Sequence, residues 1–224
     1  GTTVFERMSR LAAEHGAVNL GQGFPDDRGP EDVIRAAADA LSTGWNQYPS
    51  MLGLPDLRDA IAAHEERFYR LTFDPAREIV VTSGATEALA ACLLALLSEG
   101  DEAILFEPFY DAYAPLVRRA GAVPRFVTLK APDWSFDAGD LERAFSEKTK
   151  LVLLNNPLNP AGKVFSAEEL DLLASFVERF DAYAVCDEVY EHIVFGGASH
   201  LPFIARPGMR ERALKIGSAG KTFS

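Results

Sequence analysis

The 224-residue chain is 48% hydrophobic and 25% charged, the mix of an ordinary globular domain. Its net charge of −11 argues against nucleic acid or an anionic membrane surface as the main partner, and it requires any anionic ligand to be gripped by local donors. No stretch approaches the roughly 20 apolar residues of a bilayer span, and no signal-peptide pattern is read at the start. The only cysteines, Cys92 and Cys186, sit in apolar runs that suggest buried free thiols, a reducing compartment and a cytoplasmic location.

In chain order, a helix is predicted over 2–15, then a Gly-rich turn, NLGQGFPDD, and a second helix over 30–42. GWNQYPSMLGL reads as an aromatic, Pro/Gly-punctuated loop. The next helix places Leu57, Ile61, His64 and Phe68 on one face. From there short apolar runs rich in β-branched residues recur, which is the signature of buried strands. Strands are predicted at EIVVTSG (78–84), DEAILFEP (101–108), VPRFVTL (123–129), KLVLLNN (150–156), YAVCDEVY (183–190) and ALKIGSA (213–219).

Helices separate these strands. TEALAACLLALLSEG has Gly100 as its stop signal, and SAEELDLLASFVERF opens with Ser166 and Glu169 at capping-box spacing before an apolar stripe of Leu170, Leu173 and Val177. Strand–helix–strand alternation predicts an α/β fold with a doubly wound, mostly parallel sheet. Ligands in such sheets bind at the carboxyl ends of the strands. The histidines His15, His64, His192 and His200 show no metal-ligand spacing and read as structural or exposed.

The last ten residues, KIGSAGKTFS, allow three chemistries for Lys221. A P-loop needs G-x-x-x-x-G-K-[ST], but the position of its first glycine holds Lys215. An acyl-transfer S-x-x-K needs S-D-N and K-T-G elsewhere, and neither occurs. An amine that forms a Schiff base needs a carboxylate, hydroxyl and amide donors, a phosphate cradle and an aromatic cover. Candidates for each stand at the ends of predicted strands.

NLGQGFPDD, VTSGATEAL, EPFYDAY, NNPLNPAGKV, CDEVYEHIVF and GSAGKTFS together resemble the fold-type I pyridoxal-phosphate enzymes, specifically the class I/II aminotransferases. The kynurenine-, glutamine- and methionine-type branch fits best, on Phe109 and GQGFPD. The resemblance spans the whole chain and implies pyridoxal 5′-phosphate as cofactor. Lys221 is then the Schiff-base lysine and proton shuttle, and Asp187 the partner of the pyridine nitrogen. Tyr190 and Asn159 are donors to the phenolate oxygen, and Phe109 is the ring cover. The amides of Ala85 and Thr86 and the hydroxyl of Ser218 hold the phosphate. Gly23 and Asn155 line the substrate site, and Tyr48 reaches the phosphate of a neighbouring subunit, which implies a homodimer.

By the same resemblance, residues 1–43 form an N-terminal arm and part of a small domain, and 44–224 a large cofactor-binding domain. The chain corresponds to the N-terminal portion of such an enzyme. A phosphate-binding arginine and a carboxylate-binding arginine would lie beyond Ser224, and the last strand is expected to keep an open edge. The implied reaction is transamination between an amino acid and a 2-oxo acid. The alternatives are a C–S β-lyase, which shares these motifs, and a truncated relative that holds the cofactor without turnover.

Overall fold

A computed structural model describes residues 4–21, 23, 28–44 and 46–223. Gln22, Phe24–Asp27 and Trp45, and with them most of the GQGFPD reading, lie outside the described residues. The chain divides into two compact units, residues 1–45 with 223–224, and residues 46–222.

The first unit holds two helices, α1 (Val4–Glu14) and α2 (Glu31–Thr43). Both are expected from the sequence. Gly44 ends α2 in the left-handed region at φ 107°, a conformation that costs glycine no steric penalty.

The second unit is built on five parallel strands: β1 (Glu102–Glu107), β2 (Val123–Thr128), β3 (Thr149–Asn155), β4 (Tyr183–Asp187) and β5 (Ala213–Ile216). Their order is β2-β1-β3-β4-β5. Helices α3 (Pro55–Tyr69), α4 (Ala85–Leu96), α5 (Tyr113–Arg119), α6 (Ala138–Ala144), α7 (Ala167–Arg179) and the short α8 (Ala219–Thr222) complete it. Side chains alternate across the sheet. Ile104, Phe106, Val152, Leu154, Ala184 and Cys186 join one core with residues of α6 and α7. Ala103, Leu105, Leu151, Leu153 and Val185 join the other with residues of α4 and α5. Because both faces are covered, the central strands are apolar at nearly every position rather than at every second one.

The chain winds from β1 outward to β2, then returns to the far side of β1 for β3, so the winding direction reverses between β1 and β3. A parallel sheet opens a crevice at such a reversal, outside the carboxyl ends of the strands. The helices are seated by local chemistry. Ser166 accepts from the Glu169 amide at 3.3 Å, and the Glu169 carboxylate accepts from the Ser166 amide at 2.9 Å. Ser166→Ala removes one half of this reciprocal cap and is expected to cost about 1 kcal/mol. A lower urea midpoint at unchanged m-value would show it.

One expected strand is absent. Residues 78–84 run without a sheet partner among the described residues, and the Val81 N–H reaches only the carbonyl of Leu52, at 3.0 Å. The contact is close. Gly53, at φ 99°, leaves no room for a side chain, since a Cβ there would lie 2.5 Å from Val81 Cγ2. A β-branched run becomes a strand only where a ladder partner is present, and EIVVTSG lacks one here. β5, as expected, lies at an edge of the described sheet. It ends at Ile216, however, and Lys221 stands on α8 rather than at a strand terminus. Both cysteines are free thiols, Cys186 buried and Cys92 half-buried. No helix among the described residues is long and apolar enough to cross a membrane.

Candidate active site

The site is built on the segments just beyond the carboxyl ends of β1, β3, β4 and β5. Asp187, the last residue of β4, is 5% exposed. Tyr113, the first residue of α5, donates its phenolic hydroxyl to Asp187 Oδ2 at 2.5 Å, and the Val189 amide approaches Oδ1 at 3.4 Å. Burial raises the Asp187 carboxyl above the usual carboxylate range, while the Tyr113 and Val189 hydrogen bonds and the positive charge of Lys221 oppose that rise. Burial, followed by the adjacent Asp187 charge, pushes the Tyr113 phenol far up, so it stays a donor.

Asn155 ties two strand ends together. Its Nδ2 donates to the Asp187 carbonyl at 2.8 Å, and its Oδ1 accepts from the Asn159 amide at 2.7 Å. The turn after β3 is thereby fixed against the end of β4 through the Asn159 backbone. Asn155 is 3% exposed, so its hydrogen-bonding groups act inside the scaffold. The structure therefore gives it a positioning role more directly than a lining one.

Past β4, Tyr190 lies under Lys221, whose Nζ stands 5.5 Å from the ring centroid. The lysine side chain is exposed. Its backbone N–H donates to the carbonyl and to Oγ of Ser218, both at 3.3 Å, so Ser218 shapes the turn that presents the amine. Past β1, Phe109 stacks on Phe126 of β2, with centroids 5.6 Å apart and planes 5° from parallel. Ala85 and Thr86 open α4 after Gly84, and the first-turn amides of a helix have no intrahelical acceptor. Glu87 turns back from the same turn to the Ser83 amide.

Asp187, Asn155, Asn159, Tyr190 and Lys221 are thus joined by direct contacts or charge, and Phe109, Ser218, Ala85 and Thr86 flank them at strand or helix ends. Tyr48 is 97% exposed and takes φ 39°. Gly23 belongs to the other compact unit. Tyr113 is a partner of Asp187 in the candidate site that sequence reasoning missed. Its only signal is its place in EPFYDAY, four residues after Phe109, at the start of a helix.

Asp187 has no lysine, arginine or histidine within ion-pair distance among the described residues. A buried carboxylate held only by neutral donors is an anion prepared for a cationic group. A protonated pyridine nitrogen answers that need. Amide and hydroxyl donors at a helix start suit a phosphate, and an exposed amine suits an aldehyde. The donor set fits pyridoxal phosphate.

A family model described as aminotransferase class I and II matches residues 15–224. A probable N-succinyldiaminopimelate aminotransferase DapC of Mycobacterium tuberculosis is 48% identical over all of this chain, which spans 57% of that protein's length. Human kynurenine–oxoglutarate transaminase 3 is 43% identical over all of this chain, which spans 52% of its length. The solved structure of N-succinyldiaminopimelate aminotransferase from M. tuberculosis superposes with a TM-score of 0.97 at 47% identity, covering 100% of this chain and 59% of that one.

Proposed function

The chain belongs to the class I and II aminotransferases, and on that premise we propose that the protein carrying it exchanges an amino group between an amino acid and a 2-oxo acid with pyridoxal phosphate as cofactor. The observation that carries this reading is the buried Asp187, without an ion-pair partner among the described residues, set at the carboxyl end of β4 near an exposed lysine. When bound, the cofactor supplies an electron sink for the pair left behind by a substrate Cα–H bond.

The protein's own residues do the rest. Asp187 keeps the ring nitrogen protonated, and Tyr113 keeps Asp187 oriented toward it. Asn159 and Tyr190 donate to the phenolate oxygen. The amides of Ala85 and Thr86 and the Ser218 hydroxyl hold the phosphate, and Phe109 covers a face of the ring. Lys221 Nζ would be the amine that meets the cofactor aldehyde and, when free, the base that takes the proton from the substrate Cα. Gly23 and Asn155 serve the substrate end. We place Tyr48 at the phosphate of a second copy in a homodimer, residues 1–43 in an arm and part of a small domain, 44–224 in the large domain, and the protein in the cytoplasm.

The test is acceptor dependence. The full-length protein is mixed with donors suggested by its relatives' names, namely N-succinyldiaminopimelate, kynurenine and methionine, with and without 2-oxoglutarate. Transamination predicts one amino-acid product per oxo acid consumed and no free ammonia. Ammonia release without an acceptor would overturn it in favour of a lyase.

A further inference from the structure

His64 and His192 are 128 positions apart, yet their Nε2 atoms face each other at 2.7 Å. The rings are nearly perpendicular, at 88°, with centroids 4.9 Å apart. His64 comes from α3 and His192 from the turn after β4. Glu191 brings a carboxylate to the same place, and the three ligand atoms lie within 4.8 Å of one another. From this convergence we propose a binding site for a divalent transition-metal ion, of the zinc, nickel or cobalt type, with the two imidazoles as its principal ligands and Glu191 as the third.

Three observations carry this inference. The first is orientation. His64 Nδ1 lies 3.4 Å from Glu65 Oε1, and the carboxylate's charge favours a proton on that nitrogen, which leaves the lone pair of the other for a metal. The second is charge. Glu65, Glu188 and Glu191 are all buried, at 6%, 0% and 6% exposure. The buried ammonium beside them is that of Lys215, at 2.5 Å from Glu65 and 2.7 Å from Glu191. Glu188 is engaged by His200 and the Phe203 amide, so Glu65 and Glu191 against Lys215 leave one formal negative charge, which favours a cation at this place. The third is an orphan. Glu65 Oε2 is buried without a hydrogen-bond partner, and such groups are uncommon enough to call for an ion or a donor nearby.

The ligand chemistry selects the ion. Imidazole favours zinc, copper, cobalt and nickel, whereas magnesium and calcium require oxygen-rich shells. Lys215 engages Glu191, so two nitrogens dominate the set. Zinc–nitrogen bonds of about 2.0–2.1 Å at a tetrahedral angle separate the two nitrogens by about 3.3 Å. The pair must open by roughly half an ångström, within the reach of small side-chain rotations. Sequence spacing offers no hint of this site, because its ligands meet only through the packing of α3 against the turn after β4. The inference stands independently of the proposed reaction.

The experiment uses the full-length protein stripped by chelation. Zn²⁺ is titrated calorimetrically, and Co²⁺ is followed by its visible d–d absorption. One equivalent is expected to bind, with at least a tenfold weakening in His64→Gln and in His192→Gln, and no change in His15→Gln, whose side chain is exposed in the other unit. Equal affinity in His64→Gln, or no binding by the wild type, overturns the proposal. A readout that needs no variant is the ¹⁵N shift of the ring nitrogens. Zn²⁺ must move the Nε2 signals of both His64 and His192, and unmoved signals would leave a plain imidazole–imidazole hydrogen bond.

Discussion

Lys221→Ala in the full-length protein is expected to lower the transamination rate about 10²–10⁴-fold from loss of the proton-transfer group alone. It should also abolish borohydride fixation of a pyridoxyl group on the chain. The geometry distinguishes this lysine from its neighbour on the preceding strand. Lys215 is buried between Glu65 and Glu191, and although burial opposes its charge, those carboxylates and Glu188 outweigh burial and raise its pKa. It is a locked cation with no lone pair to offer. Lys221 has no ion-pair partner among the described residues and projects from a turn fixed by Ser218. Since its side chain is exposed, the alanine variant should keep its fold, with stability within about 0.5 kcal/mol of wild type. Intact mass and peptide mapping after reduction check the assignment. A pyridoxyl group that survives in Lys221→Ala, or that maps to Lys215, would remove Lys221 from the mechanism.

How far the sequence reaches depends on the range of the forces involved. β1, β3 and β4 are legible because a strand covered on both faces must be apolar almost throughout, and such runs stand out. The α7 cap is legible because its two partners are three residues apart. Asp187, Tyr190, Asn159 and Lys221 are marked by motif and by their places after strands. What the sequence does not disclose rests on long-range pairing. Residues 78–84 have the composition of a strand but no ladder partner among the described residues. The phenol of Tyr113 meets a carboxylate 74 positions away, and nothing local distinguishes it from a core tyrosine. The apolar run of β5 points to Lys221 at a strand end, yet Ser218, Ala219 and Gly220 turn the chain into α8 first. His64 and His192 look like unrelated surface residues until α3 is packed.

Asp187→Asn is expected to separate stability from function. In the folded chain, burial raises the Asp187 carboxyl above its ordinary value. Between the two values the folded state holds a proton that the unfolded state has released. Stability of the cofactor-free protein therefore falls as pH rises through that window, and the cost of the buried charge persists above it. Asparagine is isosteric and carries no charge, so the variant without cofactor should melt at or above the wild-type temperature at neutral pH and show a weaker pH dependence in the carboxylate range. Tyr113 still finds an acceptor in the amide oxygen, which limits the structural damage. With cofactor the order reverses. A buried, hydrogen-bonded charge pair that loses one partner costs about 2–5 kcal/mol, or roughly 30- to 4,000-fold in affinity. Thermal melts from about pH 3 to 8, with and without pyridoxal phosphate, test both halves across the carboxylate range. A variant that melts well below wild type without cofactor, yet binds it equally, would make Asp187 a structural residue and leave the ring nitrogen without its partner.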